Sequence, residues 1–318
     1  MTSLPNLLTI ADLGCSSGPN AFEAIWEIIN VSSNLYQSKN VGLPEFKVFL
    51  NDLIGNDFNT LFRSLPEFHK KLKDANFGQC FVSATPESFH GRLFPNDFLH
   101  LVHASSSVHF LSQVPEGLVT KDGVALNKGA ISMTKKSSPK VHEAYSKQFA
   151  NDFTLFLSSR SKEIVRGGQM VLNFRGSTQS DKPDYIQDYE LLGLALHNLV
   201  LKGRIKEKEL NGFNVPFYTP SIEEVQRLIE MQDSFAINNI ETFTIDWGLK
   251  DTDLILTLNE RAKHASYSFR AITGPILASQ FGALVIDELF DQFEAMVMEC
   301  LEVGKLDMMN FVISMAKK

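Results

Sequence analysis

The chain has 318 residues, of which 44% are hydrophobic and 21% charged, and its formal net charge is −7. This composition is typical of a soluble globular protein with a sizeable buried core. The acidic balance, and the lack of a basic stripe with interleaved aromatics, argue against nucleic acid as a partner. Three cysteines far apart in sequence predict neither a disulfide framework nor a zinc site.

The sequence shows no segment that would direct or anchor it to a membrane. Its first ten residues, MTSLPNLLTI, lack the charged start and long apolar run of a signal peptide. No apolar stretch approaches the roughly 20 residues that span a bilayer. We therefore expect a cytoplasmic protein with no membrane partner.

The first half of the chain alternates short apolar runs with segments of helical periodicity. The predicted elements, in order, are a strand at residues 7–11, a helix from about residue 21, a strand at 46–50, a helical face over 61–68, and strands at 80–83 and 99–103. Strands alternating with helices predict parallel pairing, with helices on both faces of the sheet.

The second half is mostly helical. The predicted elements are helices at 141–160, 185–202, 221–231 and 261–303, and strands at 169–174, 235–247 and 310–314. Gly167 and Gly168 are expected to punctuate the chain before the strand at 169–174. We predict one α/β core formed by residues 1–176 and 232–318, and a helical cap formed by residues 177–231 with part of 261–303.

A turn after the first predicted strand has the character of a ligand-cradling loop. The strand delivers Asp12 into a turn with Gly14 and Gly18, and a helix follows. Ser16 stands where a dinucleotide fingerprint has its second glycine, so the turn fits a ligand with an amino-acid tail better than a pyrophosphate. Asp52, at the end of the second strand, supplies a carboxylate for two ribose hydroxyls. These features alone leave a methyltransferase and an NAD-dependent oxidoreductase open.

Longer motifs resemble the SABATH (type-7) methyltransferases of plants. The motifs are IADLGCSSGPN, FLNDLIGNDFNTLFRSLP, ESFHGRLFP, HLVHASSSVHFLSQVPEGL, ALNKGAIS, GFNVPFYTPSIEEV and RAITGPILASQFG. They span essentially the whole chain in order. The resemblance implies a Rossmann-like class I S-adenosylmethionine-dependent methyltransferase sheet. It implies methyl transfer to a small plant metabolite, either a xanthine nitrogen, as in caffeine synthases, or an aromatic or jasmonate-type carboxylate.

The resemblance also implies a set of cofactor-binding residues. They are Asp12, Cys15, Asn20, Asp52, Leu53, Ser88 and Phe89. Cys15 and Asn20 would line the amino-acid end of S-adenosylmethionine, and Asp52 would hold its ribose. Leu53, Ser88 and Phe89 would surround the adenine. Asp12 and Asn20 could instead simply cap the turn and the helix, and Phe89 could be plain core.

On the substrate side the resemblance implies Ser106, His109, Phe110, Tyr189 and Tyr218, with His109 as the candidate catalytic residue. His109 could orient the methyl acceptor or take a proton from it. It could instead be a pocket histidine whose hydrogen bonds are all made within the protein. Phe110 stands where the family has a tryptophan whose N–H binds a substrate carboxylate, so a buried acid would lose a donor. His90 and His109 favour the xanthine branch. Tyr189 and Tyr218 could also be ordinary packing residues of the helical cap. His103 is expected to be structural.

The family often has a metal position near its active site, and the resemblance implies possible Mg²⁺ binding here by Asn127, Asn211, Phe213 and Asn214. Asn211 replaces a carboxylate, and hard cations prefer anionic oxygens, so the site should be weak.

The resemblance further implies a homodimer, and a segment before the first strand whose tyrosine and glutamine close over the site. The sequence given begins almost at that strand. We expect either a polypeptide of impaired activity, or an incomplete sequence whose full product is active. A non-catalytic ligand-binding or dimer-partner relative is the alternative function.

Overall fold

The computed structural model describes residues 4–18, 20–134, 136–177, 187–246, 256–304 and 307–318. Seven strands form one sheet: β1 (Leu7–Leu13), β2 (Glu45–Asp52), β3 (Cys80–Pro86), β4 (Leu99–Ser105), β5 (Ile164–Arg175), β6 (Phe235–Asp246) and β7 (Asp307–Lys317). Each strand predicted from the sequence is present, usually a few residues longer. Trp247, at the end of the sixth predicted strand, lies outside the described residues.

The strand order is β3-β2-β1-β4-β5-β7-β6. The pairs β1–β2, β1–β4, β2–β3 and β4–β5 are parallel. Strand β7 is antiparallel to both of its neighbours, β5 and β6. The predicted α/β class is confirmed, and so is the parallel pairing predicted for the strands that alternate with helices, β1 to β5.

Nine α-helices are described: α1 (Asn20–Ser38), α2 (Phe58–Arg63), α3 (Leu65–Asp74), α4 (Pro139–Glu163), α5 (Gln187–Leu201), α6 (Glu207–Gly212), α7 (Ile222–Gln232), α8 (Leu258–Phe281) and α9 (Ile286–Val303). Over the described ranges, no helix is long and apolar enough to cross a membrane.

Two predicted helices are each divided in the structure. The face predicted over residues 61–68 spans α2 and α3, which meet at Ser64, and a proline in the first turn starts the second helix. The helix predicted at 261–303 breaks at Gly282, whose φ of 87° ends α8 before a short 3₁₀ turn. The apolar periodicity continues across both breaks, so periodicity alone could not locate them.

Gly167 and Gly168 lie inside β5 rather than before it. A Cβ at Gly168 would come within 2.7 Å of the Ile164 side chain and 3.1 Å of the His100 carbonyl oxygen. The β4–β5 pairing is irregular between Leu99 and Leu101. The glycines therefore mark a bulge within a longer strand, where the backbones approach closely.

Helices cover both faces of the sheet. On one face, a row of phenylalanines on α4, including Phe149, Phe153 and Phe156, packs with β4, β5 and β7. On the other face, α1 and α3 pack over β1 and β2. Neighbouring residues of β1 contribute to opposite faces, with Ile10 in one cluster and Ala11 in the other.

A third apolar cluster joins helices α5, α6, α8 and α9 beyond the carboxyl end of the sheet. Helix α7 instead packs on α4 through Val225, Leu228 and Ile229, which belong to the cluster of the sheet. The division of the chain into core and cap remains a prediction. Helix α7 falls within the predicted cap, but its apolar residues pack with the cluster of the sheet.

Candidate active site

A cavity of about 520 Å³ lies at the carboxyl ends of the central strands. Its wall includes the turn between β1 and α1, the ends of β4 and β5, the first turn of α5, and the middle of α8. In open α/β sheets, ligands bind at this edge, where the strand order reverses. Here the order reverses between β1 and β4, which both contribute to the wall.

The turn after β1 requires glycine at position 14. Gly14 has a φ of 79°, and a Cβ there would lie 2.3 Å from the Ser107 Cβ. The backbone N–H groups of Gly14 and Cys15 both donate to the Asn51 carbonyl oxygen, at 2.8 and 2.9 Å. The two hydrogen bonds fix the turn against β2, and the glycine lets its backbone pass close to Ser107.

Asp52 holds the same turn from the end of β2. One carboxylate oxygen accepts the Ser16 backbone N–H at 2.7 Å, and the other accepts the Leu53 N–H at 2.8 Å. Asp52 is only partly buried, so its remaining lone pairs can accept further hydrogen bonds. The residue predicted to hold a ribose therefore also shapes the turn, and lies beside the cavity rather than in its wall.

Asp12 and His103 form a pair in the cavity wall. They face each other across the β1–β4 pairing, and the His103 Nδ1 lies 2.7 Å from an Asp12 carboxylate oxygen. Sequence reasoning took His103 as structural and so missed it as a site residue. Its position at the carboxyl end of a strand, parallel to the one that carries Asp12, was the available signal.

Cys15 and Asn20 also line the cavity, as expected. Burial raises the pKa of the Cys15 thiol far above its usual range, and the Asp12 and Asp52 carboxylates raise it further. The thiol is therefore protonated and is not a nucleophile. Asn20 is exposed at the first residue of α1, on the cavity side.

Ser88, Phe89 and Leu53 lie outside the wall of the cavity. The Phe89 ring lies 3.7 Å from where a Gly14 Cβ would be, so it backs the turn. Leu53 is 60% exposed, so its side chain is accessible. Ser88 is half-buried and its backbone N–H donates to Glu87.

A buried ion pair positions the segment that carries Phe89. The fully buried Arg160 donates to Glu163 at 2.7 Å and to the carbonyl oxygens of Phe89 and Gly91, at 2.8 and 2.7 Å. Glu163 in turn accepts the backbone N–H of Leu93 at 2.6 Å. The two residues of α4 therefore fix the backbone beside the proposed adenine position.

His109 is buried in the wall of the cavity. Its Nδ1 accepts the Arg175 backbone N–H at 3.2 Å, which places the ring proton on Nε2. Burial lowers the pKa of His109 to about 3, with a further lowering by Arg175 and a partial offset from the Ser106 carbonyl. At neutral pH the ring is an uncharged hydrogen-bond donor. Of the two predicted roles, this geometry favours orienting an acceptor over taking a proton.

Aromatic rings form the apolar end of the cavity. Phe217 lies at its centre, with ring centroids 4.6 Å from His109, 5.3 Å from Phe110 and 4.9 Å from Tyr189. Phe269 of α8 packs edge-on against Tyr189 at 5.0 Å. Ser106, at the end of β4, lies on the same wall. The structure thus brings Ser106, Phe110 and Tyr189 together with His109. Sequence reasoning missed Phe217 and Phe269.

An ion pair lies beside these rings. Arg175, the last residue of β5, donates from Nη1 to Asp188 at 2.6 Å, and both residues line the cavity. Arg175 was not predicted as a site residue. A charged residue at the carboxyl end of a buried strand was the signal for it.

Tyr218 faces a different cavity. Its hydroxyl donates to Glu224 at 2.9 Å, and its ring packs on Phe149 of α4. Both Tyr218 and Glu224 line a second cavity, of about 470 Å³, between α4 and α7. The backbone N–H of Tyr218 donates to the His109 carbonyl oxygen, so Tyr218 supports the substrate end from behind.

The residues predicted for Mg²⁺ do not fit a metal. The Asn127 side-chain amide donates to the Asn214 oxygen at 2.9 Å, and the Asn127 oxygen accepts the Ser137 hydroxyl at 2.8 Å. The Asn211 oxygen accepts the Gly129 N–H. Phe213 packs its ring on Phe281. These oxygens already have partners and none is anionic. In the described ranges, no group of three His, Cys, Asp or Glu residues is placed to hold a metal.

Comparison with known proteins identifies the class to which this fold and site belong. The family model described as SAM dependent carboxyl methyltransferase matches residues 1–318. The chain therefore belongs to this family of S-adenosylmethionine-dependent methyltransferases, the SABATH family, as predicted. The reversal of strand order at the glycine turn, and Asp52 beside it, agree with that cofactor.

Its relatives include both substrate branches. The chain is 42% identical to "Caffeine synthase 1" of Camellia crassicolumna, over 98% of this chain and 84% of the relative. It is 41% identical to "Probable jasmonic acid carboxyl methyltransferase 2" of Theobroma cacao, over 97% of this chain and 86% of the relative. Overall identity therefore does not separate N- from O-methylation.

A solved structure titled "Loganic acid methyltransferase with SAH" superposes with a TM-score of 0.85 at 35% identity. The match covers 98% of this chain and 85% of that chain. It confirms the predicted methyltransferase fold.

Proposed function

We propose that this chain transfers a methyl group from S-adenosylmethionine to a small plant metabolite bound in the 520 Å³ cavity. The supporting observation is the continuity of that cavity. It runs from the glycine turn, with Asp12 and Cys15, to the aromatic end, with His109 and Tyr189. A donor and an acceptor placed at its two ends would share one continuous space. The acceptor is a xanthine-type nitrogen or a carboxylate.

The residues at the glycine turn suit the cationic end of the cofactor. When bound, S-adenosylmethionine supplies a methyl group on an activated sulfonium. The Asp12 carboxylate, held by His103, would accept from its ammonium group. Asp52 would accept from the ribose while it continues to hold Ser16. Phe89 and Leu53 would lie against the adenine.

At the other end of the cavity, positioning is the main contribution of the protein. Methyl transfer needs an acceptor held in line with the methyl group and shielded from water. His109 would donate from Nε2 to an oxygen of the acceptor, since its Nδ1 is occupied. Phe110, Tyr189 and Phe217 would pack against the flat or apolar body of the acceptor.

Asp52 provides the test of the cofactor site. We expect Asp52→Ala to weaken S-adenosylmethionine binding by roughly 100-fold in isothermal titration calorimetry, because it removes the ribose acceptor and loosens the turn at Ser16. Asp57→Ala, which removes an exposed helix cap at α2 on the same segment, is the matched control and should bind normally. Unchanged affinity in Asp52→Ala would refute the ribose assignment.

Turnover is measured with radiolabelled cofactor and a panel of methylxanthines and monocarboxylates. Methyl transfer to any member supports the proposed function. Cofactor binding without transfer to any acceptor would favour a non-catalytic relative. If S-adenosylmethionine does not bind at millimolar concentration, the proposed methyltransferase activity of this polypeptide is wrong.

A further inference from the structure

The second cavity, of about 470 Å³, is separate from the cavity proposed for methyl transfer. Over the described ranges, the two cavities share no lining residue. One short segment divides them. Phe217 places its ring beside His109 and Tyr189, whereas the next residue, Tyr218, packs on Phe149 of α4 and lines the second cavity. The second cavity is therefore available to a ligand of its own.

Glu224 places a carboxylate in the wall of this second cavity. One oxygen accepts the Ser146 hydroxyl at 2.8 Å, and the other accepts the Tyr218 hydroxyl at 2.9 Å. Burial raises the pKa of the Glu224 carboxyl, although these hydroxyls and the charge of Arg227 lower it in part. No lysine, arginine or histidine of the described ranges forms an ion pair with it. The carboxylate can accept further hydrogen bonds and lacks a counter-charge.

The charge around Glu224 is acidic as well. Glu143 and Glu223 are exposed and line the same cavity. Arg227 is the one lysine or arginine among the described lining residues, and His142 adds a positive charge only when it is protonated. Three carboxylates against one guanidinium favour a positively charged ligand over an anion.

The wall also contains a hydroxyl group without a partner. Thr219 is 2% exposed and lines the cavity, and its hydroxyl makes no hydrogen bond to any residue in the described part of the chain. Buried hydroxyls are normally hydrogen-bonded, so one that is left over at a cavity wall indicates a partner supplied by a ligand. Glu224 and Thr219 therefore offer a charged and a neutral acceptor to the same occupant.

We propose that the cavity between α4 and α7 is a second binding site, which takes a small organic ammonium ion. The ammonium group would donate to the Glu224 carboxylate and the Thr219 hydroxyl, and the hydrocarbon part would pack on Met133 and the ring of Tyr218. A metal ion fits less well. In the described ranges, no three His, Cys, Asp or Glu residues are placed together to hold one. The proposal does not depend on methyl transfer, because it uses none of the residues assigned to that reaction.

Probes that differ in a single charged group test the ligand class. The full chain is titrated by isothermal titration calorimetry with tyramine and its neutral analogue tyrosol, and with diaminobutane and its neutral analogue butanediol. We expect at least one amine to bind about 10-fold or more tightly than its neutral analogue, because only the amine brings a charged donor to Glu224. Equal affinities within both pairs, or no binding of either amine at millimolar concentration, would overturn the proposal.

Substitutions locate the bound amine. We expect Glu224→Gln to weaken amine binding about 10- to 100-fold, because it removes the negative charge and keeps the size of the side chain. Glu230→Gln, at an exposed position of α7 outside the cavity wall, is the matched control and should bind the amine normally. We expect Thr219→Val, which keeps the shape of the side chain, to weaken amine binding by roughly 3- to 10-fold.

Circular dichroism confirms that each variant is folded before it is titrated. Thr219→Val tests the same site if Glu224→Gln does not fold. Wild-type amine affinity in the folded Glu224→Gln variant would show that the amine binds elsewhere, for example at Asp12 in the first cavity, and would overturn the proposal. Equal losses in Glu224→Gln and Glu230→Gln would mean a general attraction to the acidic surface, and would overturn it as well.

Discussion

His109 is arranged to donate rather than to accept a hydrogen bond. A backbone N–H occupies its Nδ1, and burial among Phe110, Phe217 and Arg175 keeps the ring neutral. The residue can therefore fix an acceptor oxygen but cannot take its proton. The same donor would serve a carboxylate or a purine carbonyl, so His109 alone does not choose between the two substrate branches.

We expect His109→Phe to lower kcat/KM for the methyl acceptor by roughly 10- to 100-fold, because a buried acceptor oxygen loses its donor. His109→Gln keeps a side-chain N–H and should retain most of the activity. Steady-state kinetics with the acceptor varied, together with calorimetry of the cofactor, measure the effect. Equal losses in both variants would point to packing instead of hydrogen bonding.

At the residue scale, the sequence predicted lining residues at both ends of the cavity but missed those that come from distant segments. Asp12, Cys15 and Asn20 belong to one continuous motif, and a short turn brings them together in the cavity. Arg175, Phe217 and Phe269 come from three distant segments. Only tertiary structure brings the end of β5, the loop before α7 and the middle of α8 to one cavity, and no local pattern encodes that arrangement.

Helix α4 supports the proposed adenine end of the site through its last turn. Arg160 and Glu163 are fully buried, and together they hold three backbone groups of the segment from Phe89 to Leu93. The helical periodicity of α4 was evident from the sequence. Its polar contacts were not, since a charged residue in the last turn of a helix is usually exposed.

We expect Arg160→Met to reduce the free energy of unfolding by about 3–5 kcal/mol. Buried Glu163 keeps only the part-exposed Arg92 as a charged partner, and the carbonyl oxygens of Phe89 and Gly91 lose their donor. Chemical denaturation measures the change. Arg204→Met, in an exposed ion pair with Glu288, serves as the control and should cost less than about 1 kcal/mol. A similar cost in both variants would show that the Arg160 pair contributes no more than a surface contact.

At the scale of the whole molecule, one buried and two half-buried histidines couple stability to pH. Burial lowers the pKa of His109 to about 3, and it also lowers the pKa of His90 and His100. In the unfolded chain these rings titrate near pH 6.5. The unfolded state therefore binds more protons than the folded state below that pH. The stability from neutral burial is fully present above about pH 6.5 and is lost progressively as the pH falls towards 3.

We expect the wild-type free energy of unfolding to fall more steeply between pH 7 and pH 5 than that of His109→Gln, by about 2 kcal/mol over the interval. Urea denaturation at several pH values measures the two curves. The histidines that remain in the variant provide an internal reference, since they titrate in both proteins. Parallel curves would mean that the pKa of His109 is the same in the folded and the unfolded chain, and would contradict its lowering by burial.

The arrangement of β6 and β7 has a consequence for how the chain acquires its fold. Strand β6 hydrogen-bonds to β7, which separates it from β5. While a ribosome is still making α8 and α9, β6 has no neighbour to pair with, and the β5 edge is open. Both edges close only when β7 is inserted between them. Slow synthesis through α8 and α9 would prolong the exposure of two unpaired strand edges, which are typical starting points for aggregation.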